Sequence, residues 1–151
     1  TTGTSIKGLA VPRSLTATAG GTSGDIGAIS FTVTGVNEEG ISITEVLPAF
    51  TVNTAGTVQG TEIFKEVTSI SIPAHDGTAA TTSIGTGNLV GIGKRLKRNT
   101  MRNTYQGGTK ETTDGTVTTN SSDLQNNAVN VDGGYDSTQI ILEYMETPDG
   151  E

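Results

Sequence analysis

Between Gly27 and Gly77 the chain alternates β-branched or aromatic residues with polar ones more densely than anywhere else, and Phe31, Phe50 and Phe64, its three phenylalanines, all fall there. Alternation with a period of two sends successive side chains to opposite faces of a strand, so one face is apolar and the other wet. Whatever core the chain has is built here. Ile29, Phe31 and Val33 point one way, and Ser30, Thr32 and Thr34 the other. Gly35-Val-Asn-Glu-Glu-Gly40 follows as a hairpin turn whose last residue takes a positive φ, which suits a residue with no Cβ. Ile41 and Ile43 resume the alternation, and its phase slips at Val46 and Leu47. A bulge there, or a strand end before Pro48, would account for the slip. Glu62 to Pro73 is ambiguous: Phe64, Val67 and Ile70 stand at helical spacing, whereas Ser69, Ser71 and the branched residues favour one bent strand.

Composition points the same way. Ile and Val number 23 against 7 Leu, and branched side chains stack well on a pleated surface. Almost no helix is expected. With 151 residues the chain fits one domain, yet it has 21 Gly, no Trp and only 4% aromatic residues, so few large side chains offset the ordering entropy. The expected core is thin and helped by neighbouring subunits or a surface underneath. Absence of cysteine excludes disulfides and thiolate metal sites. The opening TTGTSIKG has no apolar run of the signal-peptide kind, and nothing approaches the ~18 apolar residues of a membrane span. A soluble product lacking its initiator Met, with no membrane partner, is the expectation.

Along the chain, Thr1 to Ser5 is small and polar, an arm. Ile6, Leu9, Val11 and Leu15 flank Pro12, which has no amide hydrogen and belongs at a strand start or a sheet edge; residues 6–15 are therefore expected as an edge strand or extended arm. Thr18 to Asp25 is a loop by composition. Phe50 to Gly60 is a short strand and turn, and His75-Asp76-Gly77 is another turn. Ala79 to Ile84 and Leu89 to Ile92 are two short strands separated by GTGN. Asn99 to Gly115 is polar and rich in Gly and Thr, the pattern of a long exposed loop. Thr116 to Thr119, Leu124 to Val131 and, most clearly, Ile140 to Met145 add further strand candidates before an acidic tail. About eight short strands, with turn signals roughly every 8 to 12 residues, form the pattern of an all-β, antiparallel β-sandwich or jelly-roll-like barrel. The expected single domain divides into an arm and edge strand (1–15), a β-sandwich core (16–93), a basic segment with an exposed loop (94–115), and C-terminal strands with an acidic tail (116–151).

Most candidates for chemistry fail on inspection. Nucleophilic catalysis needs a base, and the one histidine, His75, sits in a turn between Ala74 and Asp76, where a solvated residue is expected. Asn130, Asp132 and Asp136 lie close together but lack the donor spacing and bidentate Glu of a calcium loop. Glu38 and Glu39 occupy a hairpin tip, and no glycine pattern precedes a helix that could cradle phosphate. The residues nominate no catalytic, cofactor-binding or metal site. One cluster remains. Lys94, Arg95, Lys97, Arg98 and Arg102 gather five of the nine basic residues in a chain of net charge −7. Such a segment is either a positive patch that docks on a negative partner or a solvated arm whose charges confer solubility. Nucleic acid is disfavoured as a partner, because no aromatic residues interleave with the charges.

The run from Val11 to Gly77, with its FTVTGVNEEGISITEVL hairpin, its EIFKEVTSISI strand and the later SIGTGNLVGIG segment, resembles small virion proteins of tailed bacteriophages, in particular the head decoration or cement type. The likeness covers residues 11–93 and, weakly, the end of the chain. It departs from the pattern in the basic segment and in residues 99–115. The resemblance implies a protein made in the host cytoplasm that binds the outer surface of the virion head. It further implies a homo-oligomer, a trimer favoured, that holds adjacent copies of the major capsid protein together. In that setting Lys94, Arg95, Lys97, Arg98 and Arg102 would dock on the partner, and Ile6, Leu9 and Val11 would form arm or edge-strand contacts. Rival readings are a phage tail-tube or fibre component and an extracellular filament or adhesin subunit assembling by strand donation. A carbohydrate-binding module is disfavoured by the lack of Trp, and an enzyme by the lack of a site.

Overall fold

The computed structural model describes residues 9–136 and 138–145, so the expectations for Ile6, for the arm Thr1 to Ser5 and for the acidic tail lie outside the described residues. The chain is nearly all β, 46% strand and 4% helix, in antiparallel sheets of which one curls into a half-barrel. Its strands are β1 (Arg13–Gly21), β2 (Phe31–Val36), β3 (Ser42–Leu47), β4 (Gly56–Gln59), β5 (Glu66–Ser71), β6 (Ala80–Gly91), β7 (Met101–Gln106), β8 (Thr109–Lys110), β9 (Thr116–Thr118), β10 (Ala128–Asn130) and β11 (Ile140–Tyr144). They form a five-stranded sheet in the order β4-β1-β6-β10-β9 and two three-stranded sheets, β3-β2-β5 and β11-β7-β8.

The β2-β3 hairpin forms where the alternation places it, and Gly40 closes its turn at φ 78°. The register runs unbroken from Phe31 opposite Leu47 to Val36 opposite Ser42. No bulge marks the slip at Val46 and Leu47. Instead Glu45 takes an inward position, Val46 lies 63% exposed, and the strand ends at Leu47 before Pro48. The helical spacing of Val67 and Ile70 has the opposite cause: β5 carries a bulge against β2, with Thr34 opposite Ser69 and Gly35 opposite Val67. Thr68 is the extra residue, so Val67 and Ile70 fall on one face.

Three other expectations are corrected. Of the edge strand or arm expected over 6–15, the described part, 9–15, is no edge strand: β1 starts only at Arg13, after Pro12, and lies between β4 and β6. The loop expected from Thr18 to Asp25 is strand as far as Gly21, because two neighbours satisfy its backbone and the small inward side chains of Ala17 and Ala19 let it pack closely. GTGN does not separate two strands either. β6 runs through it, and the register shift between Arg13 and Leu15 falls there, with Arg13 opposite Val90 and Leu15 opposite Thr86. Gly87 is required at this point, since a Cβ on it would lie 2.3 Å from the buried Ser14 Oγ. The Arg13 guanidinium donates to the Gly87 carbonyl and lies 4.6 Å from the Tyr135 ring centroid.

The polar stretch expected as a long loop, 99–115, holds β7 and β8. β7 pairs with the apolar β11, and Thr104 is wholly buried: its N–H donates to Asp114 Oδ1 at 3.1 Å and its hydroxyl accepts from Gly115 N–H at 3.0 Å. Polar side chains that find such partners can line a strand with no apolar alternation.

Burial gathers in two clusters. The first joins Leu15, Ala17 and Ala19 of β1 to Phe31 and Val33 of β2, Leu47 of β3, Phe64, and Val67 and Ile70 of β5, with Phe50 edge-on to Phe31 at 4.9 Å between centroids. The second is smaller, Val90, Val129 and Val131, with Val11, Met101, Ile140 and Leu142 packed against it. It seats the β11-β7-β8 sheet on the five-stranded one.

Candidate docking surface

The five basic residues are not a loose arm. Between them Leu96 tucks in beside Ile92, Met101, Val117, Leu142 and Tyr144, and its N–H donates to Asn127 Oδ1 at 2.9 Å. Asn127 is fully buried. Its Oδ1 also accepts from Asn120 N–H at 2.8 Å, while its amide donates to the carbonyls of Asn120 and Asp123, each at 2.8 Å, and of Leu124 at 3.4 Å. A short loop wrapped around one amide side chain thus fixes the basic segment to the body of the fold. Nothing in the local sequence marks Asn127 for this task. The only hint is its place in an Asn-rich run, Gln125-Asn-Asn127, directly before an apolar Ala128-Val129.

Arg95 is a second tie. Its Nε donates to the Ser122 carbonyl at 2.9 Å, and its two terminal nitrogens meet the two carboxylate oxygens of Glu39 at the β2-β3 hairpin tip. That hydrogen bonding holds the Glu39 carboxyl below its usual range and raises Arg95 above its own. Lys94 is half-buried with its ammonium 5.6 Å from the Tyr144 ring centroid, a cation-π distance. Lys97, Arg98 and Arg102 remain exposed and have no ion pair or hydrogen bond among the described residues. Of the five cations expected to dock, three are presented outward and two are turned to internal work.

Leu9 and Val11, expected as arm contacts, are half-buried in their own fold. Leu9 N–H donates to the Lys65 carbonyl at 3.1 Å and its side chain packs on the first cluster. Val11 lines a groove of about 560 Å³ together with Val90, Ile92, Ile140, Leu142 and Tyr144. This apolar groove runs between the five-stranded sheet and β11, and Tyr144 joins it to Lys94.

Elsewhere several polar groups are engaged by neighbours in the fold. His75 stacks on Phe50 with the ring planes 6° apart and accepts from Gly27 N–H through Nδ1 at 3.3 Å, which leaves its proton on Nε2, 2.8 Å from Thr82 Oγ1. It is a half-buried pin, not the solvated turn residue expected. Asp136 is engaged by the N–H and hydroxyl of Thr138, which hold its carboxyl below the usual range. Asp132 borders a polar cleft with Asp114, Asn88 and Asn130, and among the described residues no three His, Asp or Glu side chains converge as metal ligands would. Glu45 and Glu62 form an unanticipated carboxylate pair. Glu45 Oε1 accepts from the N–H groups of Thr61 at 2.6 Å and Glu62 at 3.2 Å, and burial, then the nearby Glu45 charge, pushes the Glu62 carboxyl up against the opposing bond from Asn126.

Compared with protein-family models, with curated proteins and with solved structures, the chain matches none.

Proposed function

We propose that this chain is a non-enzymatic virion structural protein of the capsid decoration type, which binds the outer surface of a phage head and bridges adjacent copies of the major capsid protein. The observation that carries the reading is the basic segment: Asn127 and Arg95 hold it in place, and Lys97, Arg98 and Arg102 project from it beside an apolar groove. A backbone already held in position loses little freedom on binding, so the attraction of these cations to a negative surface is spent on ordering their side chains alone. The groove adds apolar contact. Bridging contacts exist only in the closed shell, so they stabilise the shell relative to separated subunits and raise the barrier to rupture. The packing of β3-β2-β5 against β1 of the five-stranded sheet supports the sandwich reading of the core.

The test is attachment. The purified chain co-sediments with undecorated heads and raises their disruption temperature, and replacing Lys97, Arg98 and Arg102 with Ser weakens binding and flattens its salt dependence. Unchanged affinity in that triple variant removes the segment from the mechanism, and no binding to heads removes the reading. The second reading, a tail-tube, fibre or filament subunit, is favoured by the sheet edges at β3, β4 and β11, which can accept a strand. Fibres forming from the chain alone would select it.

A further inference from the structure

We propose that Asp132 is a site of spontaneous covalent modification: its side chain closes on the backbone nitrogen of Gly133 to form a succinimide ring, and ring opening leaves an isoaspartyl link in the main chain. The inference is independent of what the chain docks on.

The sequence holds four Asp-Gly pairs. Closure meets least hindrance in this dipeptide, because glycine has no Cβ to crowd the approach of its nitrogen to the preceding carboxyl carbon. One pair, Asp149-Gly150, lies outside the described residues. The fold treats the other three differently. At Asp76-Gly77 the nitrogen is occupied, since Gly77 N–H donates to the Asp25 carbonyl at 3.2 Å, and the space beside it is filled: a Cβ on Gly77 would lie 2.2 Å from Asp25 Cγ. At Asp114-Gly115 both reacting groups are committed. Gly115 N–H donates to the buried Thr104 hydroxyl at 3.0 Å, Asp114 Oδ1 accepts from Thr104 N–H at 3.1 Å, and a Cβ on Gly115 would lie 2.7 Å from Val129 Cγ2.

Asp132-Gly133 is the exception. Both residues are exposed at the tip of a turn in which Gly134 N–H donates to the Val131 carbonyl at 3.1 Å and Gly133 takes φ 68°. Asp132 N–H is held at the surface by Glu111 Oε2 at 3.1 Å. Among the described residues, however, neither the Gly133 N–H nor the Asp132 carboxyl has a hydrogen-bond partner, and a Cβ on Gly133 would meet nothing within 4 Å. Nucleophile and electrophile are adjacent and uncommitted, and local opening of one surface turn brings them together.

In the closure the Gly133 nitrogen bonds to Asp132 Cγ and gives up its proton, the protonated carboxyl gives up a hydroxyl, and one water leaves. Water then adds back at either ring carbonyl. Addition at Cγ restores aspartate. Addition at the Asp132 main-chain carbonyl carbon breaks its bond to the Gly133 nitrogen, so the chain now runs through Cβ and Cγ. The product has the parent's mass, one extra main-chain carbon and a free α-carboxylate, and no reagent besides water takes part. The extra carbon enters just before the Gly134 carbonyl and the Asp136 N–H, which meet the Gln106 amide of β7 at 3.3 Å each, and before Tyr135, whose ring faces the Arg13 guanidinium. Modification therefore lengthens the link from β10 to these contacts.

The folded chain, aged for weeks in neutral buffer, is digested and its peptides are read by electron-transfer fragmentation, which separates isoaspartyl from aspartyl peptides of equal mass. Isoaspartate is expected to build up at 132 several-fold faster than at 76 or 114. Ageing in guanidinium chloride, where the fold no longer protects those two, is expected to bring all three to similar rates. Asp132→Glu keeps the charge but would have to close a larger ring, and is expected to stay unmodified at 132. A folded chain without isoaspartate at 132 overturns the proposal. So does an equal or faster reaction at 76 or 114 in the folded chain, or a difference between the sites that persists after denaturation.

Discussion

Arg95 and Glu39 meet as a two-point ion pair, 2.5 Å at each contact, and so tie the basic segment to a hairpin tip 56 residues earlier in the chain. Both groups are exposed, so the pair positions a segment more than it stabilises the fold. Glu39→Gln is expected to leave the unfolding midpoint nearly unchanged while amide exchange across residues 94–98 quickens. The Glu39 carboxyl is lowered in the folded state, so its contribution is complete above the unfolded pKa of about 4.3 and is lost as pH falls through the lower folded value. Exchange that does not respond to the variant or to acid would show that Asn127 alone holds the segment.

Asn127→Ala strands the N–H groups of Leu96 and Asn120 and the Asn120 carbonyl, while the Asp123 and Leu124 carbonyls keep their bonds from the Asn126 and Asn127 N–H groups. Each unsatisfied buried group costs about 1–3 kcal/mol. Urea unfolding is therefore expected to show a loss of about 3 kcal/mol or more, and a loss below about 1 kcal/mol would mean that the 120–127 loop re-forms without the amide.

Glu62 lies beside Glu45 and Asp123, and its carboxyl is raised in the folded state. The folded chain then holds that proton more tightly than the unfolded one, so stability falls as pH rises from the unfolded pKa through the folded value. Glu62→Gln removes the ionised form and is expected to raise the melting temperature at pH 7. The gain should shrink towards zero below about pH 4, where both states are protonated in the parent. A variant less stable than the parent at pH 7 contradicts this account.

Ser14 and Gly87 are matched by shape. Ser14 Oγ is buried and has no hydrogen-bond partner among the described residues, so Ser14→Ala is expected to be neutral or to stabilise by about 1 kcal/mol. Gly87→Ala drives a methyl group to 2.3 Å from that oxygen and is expected to cost about 1–3 kcal/mol. Chemical denaturation of the two single variants and of the pair checks the coupling, and additive effects would place the strain elsewhere.

Local pattern carried part of this molecule plainly. The β2-β3 hairpin, the positive φ of Gly40 and the alternation in β11 follow from residues within a few positions of one another. The same reasoning misplaced β1, because Thr and Gly in Thr18 to Gly21 have turn-like composition, while two neighbouring strands 35 or more residues away satisfy that backbone. It also missed β7, whose polar side chains find partners such as Asp114, and the helical spacing of Val67 and Ile70 concealed a bulge visible only against β2. In the basic segment the five cations were legible, and their division into ties and outward charges was not.

From its order of residues alone, this chain was bound to be β-structured, sparing in aromatic packing, and positively charged in one place on an acidic background, because branched side chains, glycine content and charge are local properties. The tertiary structure decided which strand lies at the centre, which cations face outward, and that Asn127 and His75 serve as pins. Those outcomes depend on hydrogen-bond partners and neighbours far apart along the chain, and such partners are chosen only when the sheets assemble.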